Sequence, residues 1–327
     1  MSTFAQLLEQ PSNIQSQPNI ELSYRMGGVY ALDNPSRDAF AVQVAAKHDF
    51  TAEMKPLYLD NGICVPDKAI AVNSDTGKFL GNGVVSSKYR PCQPDDLYSL
   101  ADHLLSLDDN MSITDVFTVN NMIGLQINKG NWSPTGELAD TLQNMILLLT
   151  SFDGSKPTSM RTISFRPVCS NAYGGSKKLF SVRHTRNSDI RLKELKRLLT
   201  SLTVEMNKTN AGIQSLVHKA MTDGQAREWF NNLLLKGQSK DDLSQKAKTL
   251  NENKLSDFER LLHYGKGCEA GKGTRYAAFN ALTNYCTHER STRTHSDQEE
   301  SVQRWESNLF GSGADFAQTG FNQLVHM

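Results

Sequence analysis

The stretch that decides the fold covers residues 161–221 and reads RTISFRPVCSNAYGGSKKLFSVRHTRNSDIRLKELKRLLTSLTVEMNKTNAGIQSLVHKAM. Its first part alternates apolar residues such as Ile163 and Phe165 with polar ones, which is the period of a β-strand. Its last part places apolar residues at spacings of three and four, which predicts one or two helices between residues 188 and 221. The chain therefore changes from strand to helix close to Asn187.

The sequence before this stretch has the pattern of a β-sheet. Residues 40–90 alternate short β-type runs with turn signals such as Asp60-Asn61-Gly62 and Asp75-Thr76-Gly77, which predicts β-hairpins in a meandering antiparallel sheet. A helix is expected to begin near Pro94, where two aspartates favour the first turn. Further strands are predicted over residues 116–127, 145–152, 160–168 and 179–184.

The sequence after Asn187 is helical throughout its predicted elements and contains no internal repeat. Further helices are expected over residues 223–236, 240–263, 274–289 and 298–310. A β-rich first half followed by a helical second half indicates an α+β fold and argues against alternating βαβ units. We divide the chain into an arm with a first strand (1–39), a β-rich core (40–187) and a helical region packed on the sheet (188–327), forming one continuous domain.

Composition describes a folded protein of a reducing compartment. The chain has 327 residues, of which 38% are hydrophobic and 21% charged, enough to build a core. Its five cysteines are an odd number at scattered spacings, which favours free thiols. The first twenty residues lack the pattern of a secretory signal, and the longest apolar run, at 145–149, is too short to span a membrane. We expect a cytoplasmic protein with no membrane partner.

Charge is strongly segregated along a chain that is neutral overall. Residues 161–221 hold twelve Lys or Arg and three Asp or Glu, a net charge of +9. Residues 1–160 carry a net charge of −8, and residues 222–327 a net charge of −1. A block of like charge repels itself, so it favours a polyanion or an acidic surface of another subunit as its partner. The alternative is that several of these charges form the solvated face of a helix.

The core of this basic segment predicts a site for single-stranded nucleic acid. Lysines and arginines on a hairpin edge suit backbone phosphates, and neighbouring aromatic rings suit the stacking of bases. A basic edge strand can instead serve only as protection against aggregation. The predicted nucleic-acid-binding residues are Lys177, Lys178, Arg183, His184, Arg186, Lys193, Lys196 and Arg197, with Tyr173 and Phe180 as stacking rings.

The turn at Cys169-Ser170-Asn171 is a second candidate site. We expect a strand to end there and a short helix to begin, so that Ser170 and Asn171 either cap the helix or bind an anion through free backbone N–H groups. Cys169 and His184 could form a nucleophile and base, but no orienting partner can be identified, and a buried structural cysteine is the alternative. An enzyme is therefore the less favoured interpretation, and no cofactor is expected.

The remaining chemistry-bearing residues favour structural roles. No pair among the later histidines and cysteines has the short spacing of a zinc site, so no metal is expected; the set is His263, Cys268, Cys286, His288 and His295. The glycine-rich stretch 265–274 does not match a phosphate-binding loop and reads as a flexible connection between helices. Asn280, Asn284 and His288 share one helix face, either anchoring the helix to the sheet or facing a groove.

Three strings in order resemble a known family. They are DTGKFLG (75–81) with Tyr89-Arg90-Pro91, then LLLTSFDG (147–154) with RPVCSN (166–171) and VRHT (182–185), then Gly273-Thr274 with AFNALTNY (278–285) and His288. Together they resemble the phage and plasmid protein family called domain of unknown function 932, from about residue 40 to the C-terminus. Phe165-Arg166-Pro167 departs from the family's usual strand, and this proline is expected to end the strand early.

The resemblance implies a setting in phages and plasmids, in which DNA is handled. The order of sheet, basic segment and helices further resembles single-strand annealing proteins of the RecT and Red-beta kind, a likeness of fold level only. We therefore expect a non-catalytic protein that binds single-stranded DNA in recombination or replication. Identical subunits are expected to assemble into a ring or a filament. The alternatives are an interaction or anti-defence protein that binds a host protein, and a Cys-dependent enzyme.

Overall fold

The computed structural model describes residues 20–26, 29–81, 83–119, 122–137, 140–166, 171–173, 178–182, 192–291 and 300–327. The first half holds strands and two helices: β1 Leu22–Met26, β2 Val29–Ser36, α1 Ala39–Ala45, β3 Ala52–Tyr58, β4 Cys64–Asn73, β5 Val85–Ser86, α2 Pro94–Leu107, β6 Ser112–Val119, β7 Met122–Trp132, β8 Leu142–Ser151, β9 Thr158–Arg166, β10 Asn171–Tyr173 and β11 Lys178–Val182.

The second half is helical in its described part. Its helices are α3 Leu192–Val217, α4 Asp223–Leu235, α5 Gln245–Tyr264, α6 Arg275–Asn284, α7 Glu300–Phe310 and α8 Ser312–His326, and a π-helical turn, Tyr285–Glu289, continues α6. The predicted α+β fold, antiparallel sheet first and helices second, is therefore confirmed. The described helices include none with the length and apolar character needed to cross a bilayer.

Two antiparallel sheets form the first half. The larger sheet has the order β1-β2-β6-β7-β8-β9-β10, and β11 also pairs with β9. The smaller sheet has the order β3-β4-β5. In the larger sheet, β6, β7, β8 and β9 are neighbours both in sequence and in space, so they form a meander. The predicted turn at Asp60-Asn61-Gly62 lies in the smaller sheet, where it joins β3 to β4.

The large sheet is buried on both faces, which explains its longest apolar run. Ile146 and Leu148 of β8 pack in the core that includes α2, whereas Leu147 and Leu149 pack on the opposite face in the core that includes α7. Because successive side chains of a strand point to opposite faces, an uninterrupted apolar run requires cover on both sides. The helices thus enclose the sheet as a central layer.

Two predicted elements were wrong in the first half. The single strand expected over 116–127 is a hairpin, in which Val119 of β6 pairs with Met122 of β7. Residues 39–45, expected to be β-type, form α1, whose first turn is closed by Asp38: its Oδ1 accepts the N–H of Ala41 at 2.8 Å. An aspartate cap and the apolar face that α1 lays on α2 outweigh the local β-pattern.

Side-chain caps fix three helix starts in the second half. Thr222 caps α4 together with Gln225 in a reciprocal capping box, Ser244 caps α5 and Thr274 caps α6. Helix α8 was not predicted at all, although its Phe321 and Leu324 pack in the helical core. That core joins α3, α4, α5, α6 and α8, and Leu142 of β8 links it to the sheet.

Candidate nucleic-acid interface

Strand β9 positions the predicted interface, because two short strands share its outer edge. β10 pairs with its end, with Asn171 opposite Arg166 and Tyr173 opposite Ser164. β11 pairs with its beginning, with Lys178 opposite Arg161 and Val182 opposite Thr158. We call the backbone of β10 and β11 the basic edge. It closes one side of the larger sheet, while β1 closes the other.

Helix α3 lies against this edge. It packs on both β9 and β11, and its N-terminal turns carry Lys193, Lys196 and Arg197 in the sequence. Positions 193, 196 and 197 are spaced by three and four residues, so they share one helix face. The structure therefore brings two of the predicted groups together at the level of elements: the positions on β11 and those on the start of α3.

The other predicted interface residues fall outside the described part of the chain. These are Ser170, Lys177, Arg183, His184 and Arg186, together with Cys169. For Asn171, Tyr173, Lys178 and Phe180, and for the three cations of α3, the backbone is described and the side chain is not. The contacts predicted for the ten nucleic-acid-binding side chains therefore stay predictions, as do those predicted for the turn at Cys169-Ser170-Asn171.

The predicted anion-binding turn needs one correction. A short helix was expected to follow Cys169-Ser170-Asn171, but Asn171–Tyr173 is strand β10, paired with β9. Pairing on β9 outweighs the capping tendency of Ser and Asn. The free N–H groups of a helix start, which motivated the anion-binding proposal, therefore do not occur at Asn171. Strand β9 is described as far as Arg166, and Pro167, which is expected to end it, lies outside the described residues.

Four cations of the basic segment have described side chains, and each is used inside the protein. Arg161 donates to the carbonyl of Leu309 at 3.1 Å, with its guanidinium 4.9 Å from the ring centre of Phe310. Lys208 pairs with Glu205 at 3.3 Å on α3. Lys219 donates to the carbonyl of Val325 at 2.6 Å, in the last turn of α8.

The fourth cation, Arg166, lies buried where the sheet meets the helices. Its Nη1 is 2.6 Å from Oδ1 of Asp140, and both side chains are almost fully excluded from solvent. Its Nη2 donates to the hydroxyl of Tyr276 at 2.5 Å, and that hydroxyl donates to Asp140 at 2.8 Å. Burial raises the pKa of Tyr276, so the phenol stays protonated and donates to the carboxylate.

The glycine-rich connection between α5 and α6 closes over this ion pair. Gly267 has a φ of +84°, and a Cβ at this position would lie 2.6 Å from Nη1 of Arg166. Its carbonyl accepts from Nδ2 of Asn280 at 2.7 Å, and the carbonyl of Lys266 accepts from Nδ2 of Asn284 at 3.1 Å. We call Asp140, Arg166, Gly267, Tyr276 and Asn280 the junction network.

The junction network anchors the fold, and it leaves almost no room for a ligand. Asn280 and Asn284 are buried anchors, one of the two roles predicted for this helix face, whereas His288 is exposed. The adjoining cavity, beside Ser164 and Thr283, measures about 20 Å³, which is space for one water molecule. Asp140 and Tyr276 were missed in the sequence, where a lone Asp and a lone Tyr give no signal of pairing with Arg166.

Two buried thiols, Cys92 and Cys286, are not activated as nucleophiles. Burial raises the pKa of Cys92 to about 11 and that of Cys286 to about 12, so both stay protonated at neutral pH. No three His, Cys, Asp or Glu side chains converge on a possible metal position among the described residues. Among the five histidines and cysteines compared with a zinc site in the sequence, His295 lies outside the described residues.

Comparison with known proteins adds a family. No curated protein and no solved structure matches the chain. Residues 82–309 match the sequence profile of the family described as Domain of unknown function (DUF932). This range is narrower than the one expected from the three strings, since it begins after DTGKFLG and ends before the C-terminus. It contains β6 to β11, α3 to α6, α7 except its last residue, and the whole junction network. Because it covers more than half of the sequence, the chain belongs to the DUF932 family.

Proposed function

We propose that this protein binds single-stranded DNA along the basic edge and the start of α3, without catalysing a reaction, in the recombination or replication of a phage or plasmid. The observation that carries the proposal is the adjacency of β11 and α3. Both elements come from the most basic part of the sequence, and they lie side by side at an edge of the sheet. Clustered cations on one surface are the electrostatic requirement for a polyanion.

The charge that remains for DNA can be counted. Arg161, Arg166, Lys208 and Lys219 serve contacts within the protein, as described above. The other eight Lys or Arg of the segment all lie between residues 177 and 197, where the acids are Asp189 and Glu194. These residues thus carry a net charge of +6 within 21 positions. Such a density favours an external partner over a solvated helix face.

In the proposed mechanism the protein holds the strand by its phosphates and leaves the bases free. Lys177, Lys178 and Arg183 bind phosphates at the edge, while Tyr173 and Phe180 offer rings on which bases stack. Lys193, Lys196 and Arg197 extend the phosphate contacts along α3. A strand held in this way can pair with a complementary strand, which is the annealing activity that the likeness to RecT and Red-beta suggests.

The test is salt-dependent binding to a labelled oligonucleotide. Combined Lys177→Ala, Lys178→Ala and Arg183→Ala should weaken binding at least tenfold and lower the slope of log K against log salt by about 2, since each phosphate contact contributes about 0.7. The matched control replaces three exposed lysines outside the segment, Lys68, Lys78 and Lys88, with Ala. Equal losses in both triple variants, or no binding by the natural sequence at low salt, would refute the proposal.

We further propose head-to-tail assembly, because residues 1–160 and 161–221 carry opposite net charge. A surface that attracts a different surface of the next copy repeats until a ring closes or a filament extends. Light scattering should then show oligomers that dissociate as salt is raised. A monomer at every salt concentration, with and without DNA, would leave DNA binding possible but would remove the continuous groove.

A second candidate function rests on the smaller sheet. The turn between β3 and β4 exposes Tyr58, Leu59 and Ile63, each more than half accessible. Strands β3 and β4 of this sheet lie before the range that the family profile matches. Exposed apolar side chains of this kind favour a protein partner. A photocrosslinking residue at Ile63 should capture one host protein, whereas the same residue at Thr76, an exposed turn of the same sheet, should not. Equal capture at both positions contradicts this function.

A further inference from the structure

A cavity of about 560 Å³ opens between α4, α5, α8 and the π-helical turn after α6. None of its lining residues belongs to β9, β10, β11 or α3, so it is separate from the proposed DNA interface. Its size falls within the range of small-molecule sites, which is about 300 to 1,000 Å³. The lining residues that matter for its chemistry are Lys236, Lys254, Arg290, Ser312, Asp315 and Phe316.

Positive charge dominates the wall of this cavity. Three cations, Lys236, Lys254 and Arg290, face one acid, Asp315, which is exposed. Among the described residues, neither Lys254 nor Arg290 forms an ion pair, although both are partly buried. Burial and then the nearby charge of Arg290 lower the pKa of Lys254, which shows that the two cations repel each other across the wall. An anion between them would relieve this repulsion.

Within the described part of the chain, the groups that hold Arg290 in place are neutral. Its Nη1 donates to Oγ of Ser307 at 3.2 Å and its Nη2 to Oγ of Ser312 at 3.1 Å. The guanidinium also lies 5.7 Å from the ring centre of Phe316. Hydroxyls orient a guanidinium without cancelling its charge, so Arg290 is fixed in position and can still attract an anion.

The start of α8 adds to the same field. Its N-cap, Gly311, has no side chain to cap the first turn, in which the N–H of Gly313 donates to Oγ of Ser307 at 3.1 Å, and Ser312 at this end lines the cavity. A helix N-terminus carries partial positive charge and favours an anion. The cavity therefore combines two cations, of which Arg290 is held in place, with the start of a helix, which suits the double negative charge of a phosphate group.

The wall next to Arg290 is aromatic. Phe316 and Tyr285 lie with their ring centres 6.4 Å apart, and both line the cavity. Tyr285 belongs to the π-helical turn, a rare local widening of a helix that occurs frequently at functional sites. An aromatic wall beside a cationic one fits a ligand with a phosphate at one end and a flat ring at the other.

We propose that this cavity binds a phosphate monoester, with Lys254 and Arg290 on the phosphate and Phe316 beside the organic group. Two sources share this chemistry: a free nucleoside monophosphate and the 5′-phosphate at the end of a DNA strand. The two ligands differ in size: a monophosphate can lie wholly in the cavity, whereas the rest of a DNA strand must extend out through its open side. The site does not depend on DNA binding at the basic edge.

The experiment measures binding of adenosine 5′-monophosphate to the full chain by calorimetry, with adenosine and inorganic phosphate as companions. The monophosphate should bind, and adenosine should not. Lys254→Met should weaken binding about tenfold, the loss of one charge-assisted contact. Because Lys254 has no partner among the described residues, this variant should keep the fold. Lys246→Met, an exposed lysine of α5 outside the cavity, is the matched control.

A second arm compares a short oligonucleotide with and without a 5′-phosphate, in a protein that carries the triple substitution at the basic edge. Tighter binding of the phosphorylated strand than of the monophosphate identifies a strand end as the ligand, and the reverse identifies a free nucleotide. Either result supports the site if Lys254→Met abolishes the preference. No phosphate-dependent binding in either arm, or equal binding by the Lys254→Met variant, overturns the proposal, whatever the outcome at the basic edge.

Discussion

The junction network and the basic edge are built on the same strand, β9, and drawn from the same basic segment, yet they use charge in opposite ways. At the junction, Arg166 meets a buried carboxylate, a phenol and an amide at hydrogen-bonding distance. Between residues 177 and 197, which include β11 of the edge and the start of α3, eight cations are accompanied by two acids. A count of charge along the chain does not distinguish the two, and only the structure shows which cations are already used.

This contrast gives the largest expected effect. Arg166→Met should lower the free energy of unfolding by about 3 to 5 kcal/mol, because it leaves the carboxylate of Asp140 buried without its cation. Urea denaturation measures the loss. Lys208→Met, which removes an equal charge from an exposed pair with Glu205, should change the free energy by no more than about 0.5 kcal/mol.

A double variant shows whether the ion pair causes that loss. Combining Arg166→Met with Asp140→Asn removes both charges, so it should recover a clear part of the stability. If the double variant is no more stable than Arg166→Met alone, the lost packing of the long side chain explains the effect, and the comparison between junction and edge no longer rests on charge.

A smaller change tests how closely the junction is packed. Gly267→Ala should cost about 2 to 3 kcal/mol, because it places a side chain at positive φ and sets a methyl group against the guanidinium of Arg166. Gly273→Ala is the control: its φ is also positive, but a Cβ there meets nothing within 4 Å, so only the backbone cost of about 1 kcal/mol applies. Equal losses in thermal unfolding would show that Arg166 yields to the methyl group.

A third prediction extends the comparison to a buried group that is neutral. His48 is enclosed between the hydroxyls of Tyr98 and Thr118, at 2.8 and 2.7 Å, and burial lowers its pKa from 6.5 to about 4. Between these values the unfolded chain binds a proton and the folded protein does not, so acid favours unfolding. From pH 7 to pH 5 this histidine should remove about 2 kcal/mol of stability.

Denaturation at both pH values, repeated with His48→Gln, measures that contribution. The variant starts less stable but should lose about 2 kcal/mol less than the natural protein on acidification. His218→Gln, at an exposed position after α3, is the matched control. The same acid loss in His48→Gln as in the natural sequence would show that other groups cause it.

Much of the fold can be predicted from the sequence, because its signals are local. Helices predicted to begin at residues 223 and 274 are found as α4 and α6, which begin within one residue of those positions. The hairpin of β6 and β7 was read as one strand because both its arms are apolar, and the turn between them carries only the weak signal of two asparagines.

The candidate site was likewise predictable only where its signals are local in the sequence. Charge density identifies the segment, and the pairing of β11 with β9 then places its strand at a sheet edge. The partners of Arg166 lie 26 residues before it and 110 residues after it, at Asp140 and Tyr276. Such pairing depends on tertiary packing, which no local pattern in the sequence records.

The smallest effect is the sharpest test of the comparison, since it sets two lysines of the same basic segment against each other. Lys219 donates to the carbonyl of Val325 and so closes the last turn of α8, whereas Lys178 lies on the basic edge. Lys219→Met should cost about 1 kcal/mol of stability and leave the salt slope of DNA binding unchanged. Lys178→Met should spare stability and lower the slope by about 0.7, one phosphate contact on a single strand. Both variants remove one positive charge, so net charge alone predicts the same change in the salt slope of DNA binding for both. Equal salt slopes would therefore show that the charges of the basic segment act together as a diffuse field and that the basic edge is not a separate site.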